Sequence, residues 1–131
     1  MSAQNVGAVR RAWEAFNRGD LETFLADAAA DVEFEEDPAF PEAAVFRGRE
    51  EILTYLKSFH EAMADHHFEV EELRDLGDRV LALLHETARG TSSGVGVDQR
   101  PAFLYEFRDG LIVRVRAYLD RAEGLAAVGG G

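Results

Sequence analysis

The sequence predicts one α+β domain, and three features of the chain predict it. Apolar residues recur at helical spacing up to about residue 64. From residue 66 onward the period changes to two, as it does when successive side chains point to opposite faces of a strand. Between the strand-like runs stand Gly77-Asp78 and Asp109-Gly110, pairs that tolerate the left-handed backbone of a tight hairpin. A block of helices followed by a block of antiparallel strands gives a curved sheet with helices on one face. There is no internal repeat and no domain linker.

Taken in order, Val6, Val9, Trp13 and Phe16 mark an amphipathic helix over residues 4–17. Gly19 suits its C-terminal cap, and Asp20 can cap a second helix with Leu21, Phe24, Leu25 and Ala28 on one side. Residues 31–37 are extended, with Val32 and Phe34 sharing a face. DPAFPEAAVFRG, with two prolines, is a loop. Ile52, Leu53, Leu56, Phe59 and Met63 define a third helix over 49–64. Strands follow at 66–75, 79–90, 98–108 and 111–120, the middle two joined by TSSGVGVD. Residues 120–127 form a short closing helix, and the terminal glycines at 129–131 a frayed end.

Composition sets the classes of function. At 131 residues, 47% of them apolar, the chain can bury one core and not two. A formal net charge of −11 opposes nucleic acid and anionic membrane surfaces, whose charge a partner neutralises with Lys and Arg. With no cysteine, disulfides and thiolate chemistry are excluded. No segment reaches the ~18 apolar residues of a membrane span, and the N-terminus lacks an apolar signal core. The expectation is a soluble, cytoplasmic protein.

The strand faces carry most of the information. On the last strand Val113, Val115, Ala117 and Leu119 alternate with Arg114, Arg116, Tyr118 and Asp120, giving a dry and a polar face. The strand before it sets Phe103, Tyr105 and Phe107 opposite Leu104, Glu106 and Arg108. In RVLALLHETARG both faces are apolar: Leu81 and Leu83 on one, Val80, Ala82 and Leu84 on the other. A strand apolar on both faces needs cover on both. Helices cover one side, and a second subunit is the economical cover for the other, so a homodimer packed sheet to sheet is expected.

Three runs, AFNRGDLETFLA, FRGREEILTYL and YEFRDGLIVRVRAYLD, give the chain a family likeness. With the order helix–helix–strand–helix–four strands, they resemble the NTF2-like cone fold of ketosteroid isomerases, limonene epoxide hydrolases and SnoaL-like polyketide cyclases, and most closely the SnoaL-like branch. The resemblance implies a curved, mostly antiparallel sheet with three helices on its concave face. It implies a conical pocket between them for a hydrophobic small molecule, no cofactor, and a dimer through the convex face. It specifies the fold better than an activity, because this fold hosts enzymes and non-catalytic binders alike.

VEFEEDPAF places four carboxylates between positions 33 and 37. Ketosteroid isomerases carry their catalytic base at the end of this strand in a Glu-Asp-Pro run, which matches Asp37. An ungapped count from Asn17 in NRGD matches Glu36 instead. Alternation also favours Glu36, since it shares a face with Val32 and Phe34, and a bulge before Pro38 would reverse that for Asp37. The plainer reading leaves all four in water or capping backbone. An acid among apolar walls becomes a better base near neutrality, because its charged form loses hydration.

The oxyanion-hole tyrosine and aspartic acid of the isomerases fall here on Ala12 and Phe103, so that machinery is missing. The resemblance places Leu81, Leu83 and therefore His85 toward the pocket, together with Tyr55, Phe103, Tyr105, Val115 and Leu119. His85 facing a carboxylate would serve as acid or base, with a tyrosine donating to a carbonyl. The alternative is a core histidine and tyrosines that only shape the wall. Trp13, Phe16 and Phe59 are pocket or core aromatics. An epoxide-hydrolase site needs an Asp–Arg–Asp set, but Arg114 and Arg116 lie on the polar face. His60, His66 and His67 show no metal-binding spacing, and no phosphate loop is present.

Overall fold

Ala8, Val9, Trp13 and Phe16 form the buried side of α1 (Ser2–Asn17). The computed structural model describes residues 2–38, 44–92 and 94–129. Two asparagines fasten α1 to the sheet. Asn17 Nδ2 donates to the Phe68 carbonyl at 2.8 Å while its Oδ1 accepts from the Phe68 amide at 2.9 Å, and Asn5 Nδ2 donates to the Gly77 carbonyl at 3.1 Å. These bonds satisfy buried amides and set the helix along one strand over most of its length.

After Asp20, whose carboxylate caps the next turn by accepting from the Thr23 amide at 3.1 Å, α2 (Leu21–Phe24) is a single turn. The chain then enters β1 (Ala28–Glu35), three residues earlier than the sequence pattern indicates. β2 (Val45–Arg47) pairs with β1 inside the segment expected to be loop, and α3 (Arg49–Ala62) follows it. The sheet continues through β3 (Met63–Asp75), β4 (Arg79–Gly90), β5 (Gly96–Gln99), β6 (Ala102–Arg108) and β7 (Leu111–Tyr118). The expected single strand 98–108 is two strands, because Pro101 has no N–H for the ladder. Its carbonyl still accepts from the Leu84 amide at 3.1 Å.

The strands form one seven-stranded sheet in the order β2-β1-β7-β6-β4-β3, with β5 on the far half of β4. Every pairing is antiparallel except β1 with β7. The hairpin at Asp109-Gly110 has both residues at positive φ, 54° and 81°, as a two-residue primed turn requires. α3 passes into β3 without a loop. Asp65, at φ 53°, sits in a bulge where the register with β4 slips by one residue.

The sheet has two apolar faces, and the second is covered from within. Toward α1 and α3 lie Val80, Ala82 and Leu84 with Tyr105, Phe107 and Ile112. On the other face Leu81, Leu83, Ala102 and Leu104 pack with Leu76, Tyr118, Leu125 and Val128. The last two belong to α4 (Arg121–Ala127) and its cap. Asp120 caps α4 by accepting from the Ala122 amide at 2.9 Å, and Arg121 ties it down with donations to Glu71 and to the Leu84 carbonyl, at 2.7 and 2.8 Å. The expected need for a second subunit over this apolar face is therefore corrected: the closing helix occupies it. Elsewhere the outer face is charged. Arg114 grips Glu35 with two bonds of 2.9 and 3.0 Å, and Arg116 adds a third at 2.6 Å.

Part of the expected loop, residues 39–43, and the terminal Gly130 and Gly131 lie outside the described residues. Among the described residues no helix is long and apolar enough to cross a membrane.

Candidate functional site

Helices α1, α2 and α3 stand off the inner sheet face and leave a cavity of about 460 Å³. That volume lies within the usual range for small-molecule sites. The wall is mostly aromatic and aliphatic. Trp13 holds Phe16, Phe24 and Phe103 edge-on at 5.2–5.6 Å, and Phe34 and Phe46 flank Tyr55 at 5.8 and 4.3 Å. Polar groups interrupt it at two places, and no Lys or Arg lines it among the described residues.

The first polar group is at the end of β1. Glu36 and Asp37 both line the cavity. Glu36 continues the inward side of Val32 and Phe34, while Asp37 turns in as the strand ends before Pro38. The Glu36 carboxylate is held at both oxygens: the Ala44 amide donates to Oε1 at 3.1 Å, and the Tyr55 hydroxyl donates to Oε2 at 3.1 Å. Its own amide donates to the Ala44 carbonyl at 3.0 Å, so one backbone bond and one to the side chain join Glu36 to Ala44. Asp37 is 2% exposed, and its Oδ2 accepts from the Leu119 amide at 2.7 Å, which fastens the end of β1 to the end of β7. Burial, then the charge of Glu36 and its hydrogen bond, hold the Tyr55 phenol well above the ordinary phenol range, with a further contribution from Glu86. Tyr105 is raised too, by burial, which the nearby Trp13 indole only partly offsets.

The second polar group was not anticipated. Glu86 of β4 and His66 of β3 are both buried in the wall, with His66 Nε2 2.7 Å from Glu86 Oε2. Gln99 Nε2 donates to the other Glu86 oxygen at 2.7 Å. The His66 ring lies among Phe16, Phe59 and Phe68, at centroid distances of 4.9–5.4 Å. Its Nδ1 is buried without a partner. His60 stacks on Phe16 at 4.9 Å, and burial together with the neighbouring His66 lowers its pKa.

Of the residues expected at the pocket, Glu36, Asp37, Trp13, Phe16, Tyr55 and Phe59 line it. So do Phe103, Tyr105, Val115 and Leu119 from the sheet. His85 and Leu83 do not, and their placement is corrected. Leu83 packs beneath α4, and His85 is on the outer face, with Nε2 2.7 Å from Asp98 and Nδ1 4.0 Å from Glu69. Both faces of β4 are apolar at its start, so composition there does not distinguish inside from outside. The side carrying Val80, Ala82 and Leu84 is the inner one, and it ends in Glu86. A usable signal existed in β3: His66, Phe68 and Val70 share one parity. Glu69, Glu71 and His85 approach closely enough to share a cation, but Glu71 is bonded to Arg121 and paired with Arg100, and His85 with Asp98.

An unclosed, curved sheet wrapped over helices around an apolar, acid-bearing cavity defines a protein of the NTF2-like class. Residues 9–115 match the family model of the SnoaL-like domain, and the chain belongs to that family. No curated protein matches it. Among solved structures, an NTF2-like protein of Burkholderia thailandensis is 24% identical, with a TM-score of 0.81 over 96% of this chain and 95% of that one. A protein of Jannaschia sp. described as a SnoaL-like polyketide cyclase by its likeness is 20% identical, with a TM-score of 0.81 over 97% and 90%. An NTF2-like protein of unknown function from Burkholderia pseudomallei is 22% identical, with a TM-score of 0.80 over 96% and 98%. At these identities the likeness is one of fold.

Proposed function

We propose that the cavity binds a hydrophobic, ring-sized small molecule and that Glu36 acts there as a general base on a carbon next to a carbonyl. The observation that carries this is the 3.1 Å contact between Glu36 Oε2 and the Tyr55 hydroxyl on the wall of an otherwise apolar void. A carboxylate so placed has lone pairs left after its two hydrogen bonds. It takes the proton from carbon, the C–H electron pair moves into the enolate, and the carboxylic acid returns the proton at the same or a conjugated carbon. Tyr55, kept protonated by burial and by Glu36, has one O–H, which must turn from Glu36 Oε2 to donate to the enolate oxygen once Glu36 carries the abstracted proton. Asp37 is the weaker candidate, because its oxygen closes β1 onto β7.

This reading is tested without knowing the substrate. Cyclic and aromatic ketones are incubated with the protein in D₂O, and deuterium uptake beside the carbonyl is followed by mass spectrometry. Uptake above buffer that falls about 10²–10⁴-fold in Glu36→Gln supports the base. Uptake equal in the variant and the parent refutes it.

A second reading, a non-catalytic binding module, is favoured by one observation: both oxygens of Glu36 and both of Glu86 already have protein donors. Ketone binding without any exchange would establish that reading. The homodimer implied by the resemblance belongs with these proposals. With α4 over the apolar patch, the charged region of Glu35, Glu106, Arg114 and Arg116 is the part of the outer face left to carry it, and light scattering reports the mass.

A further inference from the structure

Glu86 is 5% exposed and follows Val80, Ala82 and Leu84 on the inner side of β4. A carboxylate at that depth ordinarily has a cation beside it, since an isolated buried charge is costly. Here the two partners of Glu86 are Gln99, which is neutral, and His66.

His66 is hydrogen-bonded through one ring nitrogen only. A carboxylate only accepts, so Nε2 carries the proton that points at Glu86. A protonated ring would hold a second N–H at Nδ1, and that atom is buried with no acceptor. A second N–H there would go unmet, and an unmet donor costs more than an unmet lone pair. Burial lowers the pKa of His60, the adjacent imidazole. No Lys or Arg lines the cavity among the described residues. Glu86 thus has His66 and Gln99 as its side-chain partners and no Lys or Arg beside it, inside a wall of aromatic rings.

Such a wall has a complement. Ring faces attract cations, and a quaternary or protonated amine needs only the field of the acid and a ring to lie against. Glu86 and Tyr55 of α3 line the same cavity, so a ligand held there lies within reach of that field. We infer that the cavity selects an organic cation, an apolar molecule bearing one ammonium group, with its positive end toward Glu86 and the rings of Phe16, Phe59 and Phe68. This rests on the cavity being a ligand site and does not depend on Glu36 being a base.

Trp13 is the chain's single tryptophan and lies in the cavity wall, so its fluorescence reports occupancy. Three probes of one size separate the outcomes: benzyltrimethylammonium, its uncharged isostere neopentylbenzene, and phenylacetate. The expected order in the parent protein is ammonium, then isostere by about tenfold, then anion. Glu86→Gln keeps the shape, and a flip of the Gln99 amide lets its oxygen accept from the new NH₂ while the new oxygen accepts from His66. It should shrink the ammonium preference to about twofold while leaving the affinity for the isostere unchanged. Should the variant fail to fold, the order in the parent protein decides by itself. An isostere bound as tightly as the ammonium means that Glu86 presents no net negative charge to the cavity, and overturns the inference while leaving the cavity as a ligand site. Phenylacetate bound as tightly as the ammonium overturns it as well. Failure of all three to bind refutes the ligand site and the inference together.

Discussion

Gly124 of α4 is a point where the covering of the outer sheet face can be tested with one methyl group. A Cβ built on Gly124 meets the Ala102 Cβ at 2.5 Å and Tyr118 Cδ2 at 3.5 Å. Carbon atoms pack best at about 3.5–4.0 Å, so α4 would have to lift from β6 by about 1 Å. Overpacking of this kind costs ~1–3 kcal/mol. Against it stands a helix-propensity gain of about 1 kcal/mol for Ala over Gly. The net expectation for Gly124→Ala is a loss of about 1 kcal/mol, or about 4 °C in melting temperature for a domain of this size. Ala102→Gly removes the obstructing methyl. In that background Gly124→Ala should become stabilising by about 1 kcal/mol, giving a favourable coupling of about 2 kcal/mol in a double-mutant cycle. Urea unfolding of the four proteins measures it. Zero coupling, or Gly124→Ala stabilising the parent protein as much as the Ala102→Gly variant, would refute the seating of α4 on β6. The apolar face would then again need a second subunit.

Three further outcomes follow from the site and its supports. Asp37→Ala removes the acceptor of the Leu119 amide from a part-buried bond, and should cost about 1–3 kcal/mol in urea unfolding, whereas Asp37→Asn keeps an oxygen there and costs less. Glu35 has its pKa lowered, first by its hydrogen bond to Arg114, against an opposing burial effect, and then by Arg116. A lowered native pKa stabilises the fold above the unfolded value and is lost as pH falls through the native one, so the stability gap between the parent protein and Glu35→Gln should close below pH 4.5. A gap independent of pH would contradict it. Tyr55 and Tyr105, two of the three tyrosines, have raised pKa values, which stabilise the fold below the unfolded phenol value and act against it as pH rises past that value. Their phenolate absorbance should appear only with alkaline unfolding, and earlier for Tyr55 in Glu36→Gln. Reversible titration of all three in the ordinary range, with the fold intact, would contradict their burial.

The fold was legible where side-chain period and turn chemistry agree. The last hairpin shows this: Val115 and Ala117 point into the core, Arg114 and Arg116 meet Glu35 outside, and Asp109-Gly110 turns between them. Element boundaries failed where a local feature outranks the period. Pro101 divides a strand whose alternation runs past it, and β2 hides in a segment whose prolines suggest only loop. The site was half legible. Glu36 could be assigned from the parity of Val32 and Phe34 because one face of β1 is clearly apolar. His85 could not be assigned, because β4 is apolar on both sides until Glu86, and Glu86 itself resembles an ordinary surface acid. His66 and His67 are ambiguous as a pair. The left-handed Asp65 before them and the bulge it makes send His66 inward and leave His67 in water. Nothing in local composition announces a backbone bulge at an aspartate.

The central claim, that the cavity holds its ligand's reacting carbon against Glu36, is tested most directly by a crystal structure with a bound cyclic ketone. The predicted result is ligand density inside the cone, with the carbon beside the carbonyl ~3–3.5 Å from a Glu36 oxygen, the separation at which a proton is poised to transfer. Density confined to the outer surface, or a ketone inside the cone with its carbonyl side turned away from Glu36 and Tyr55, would contradict it.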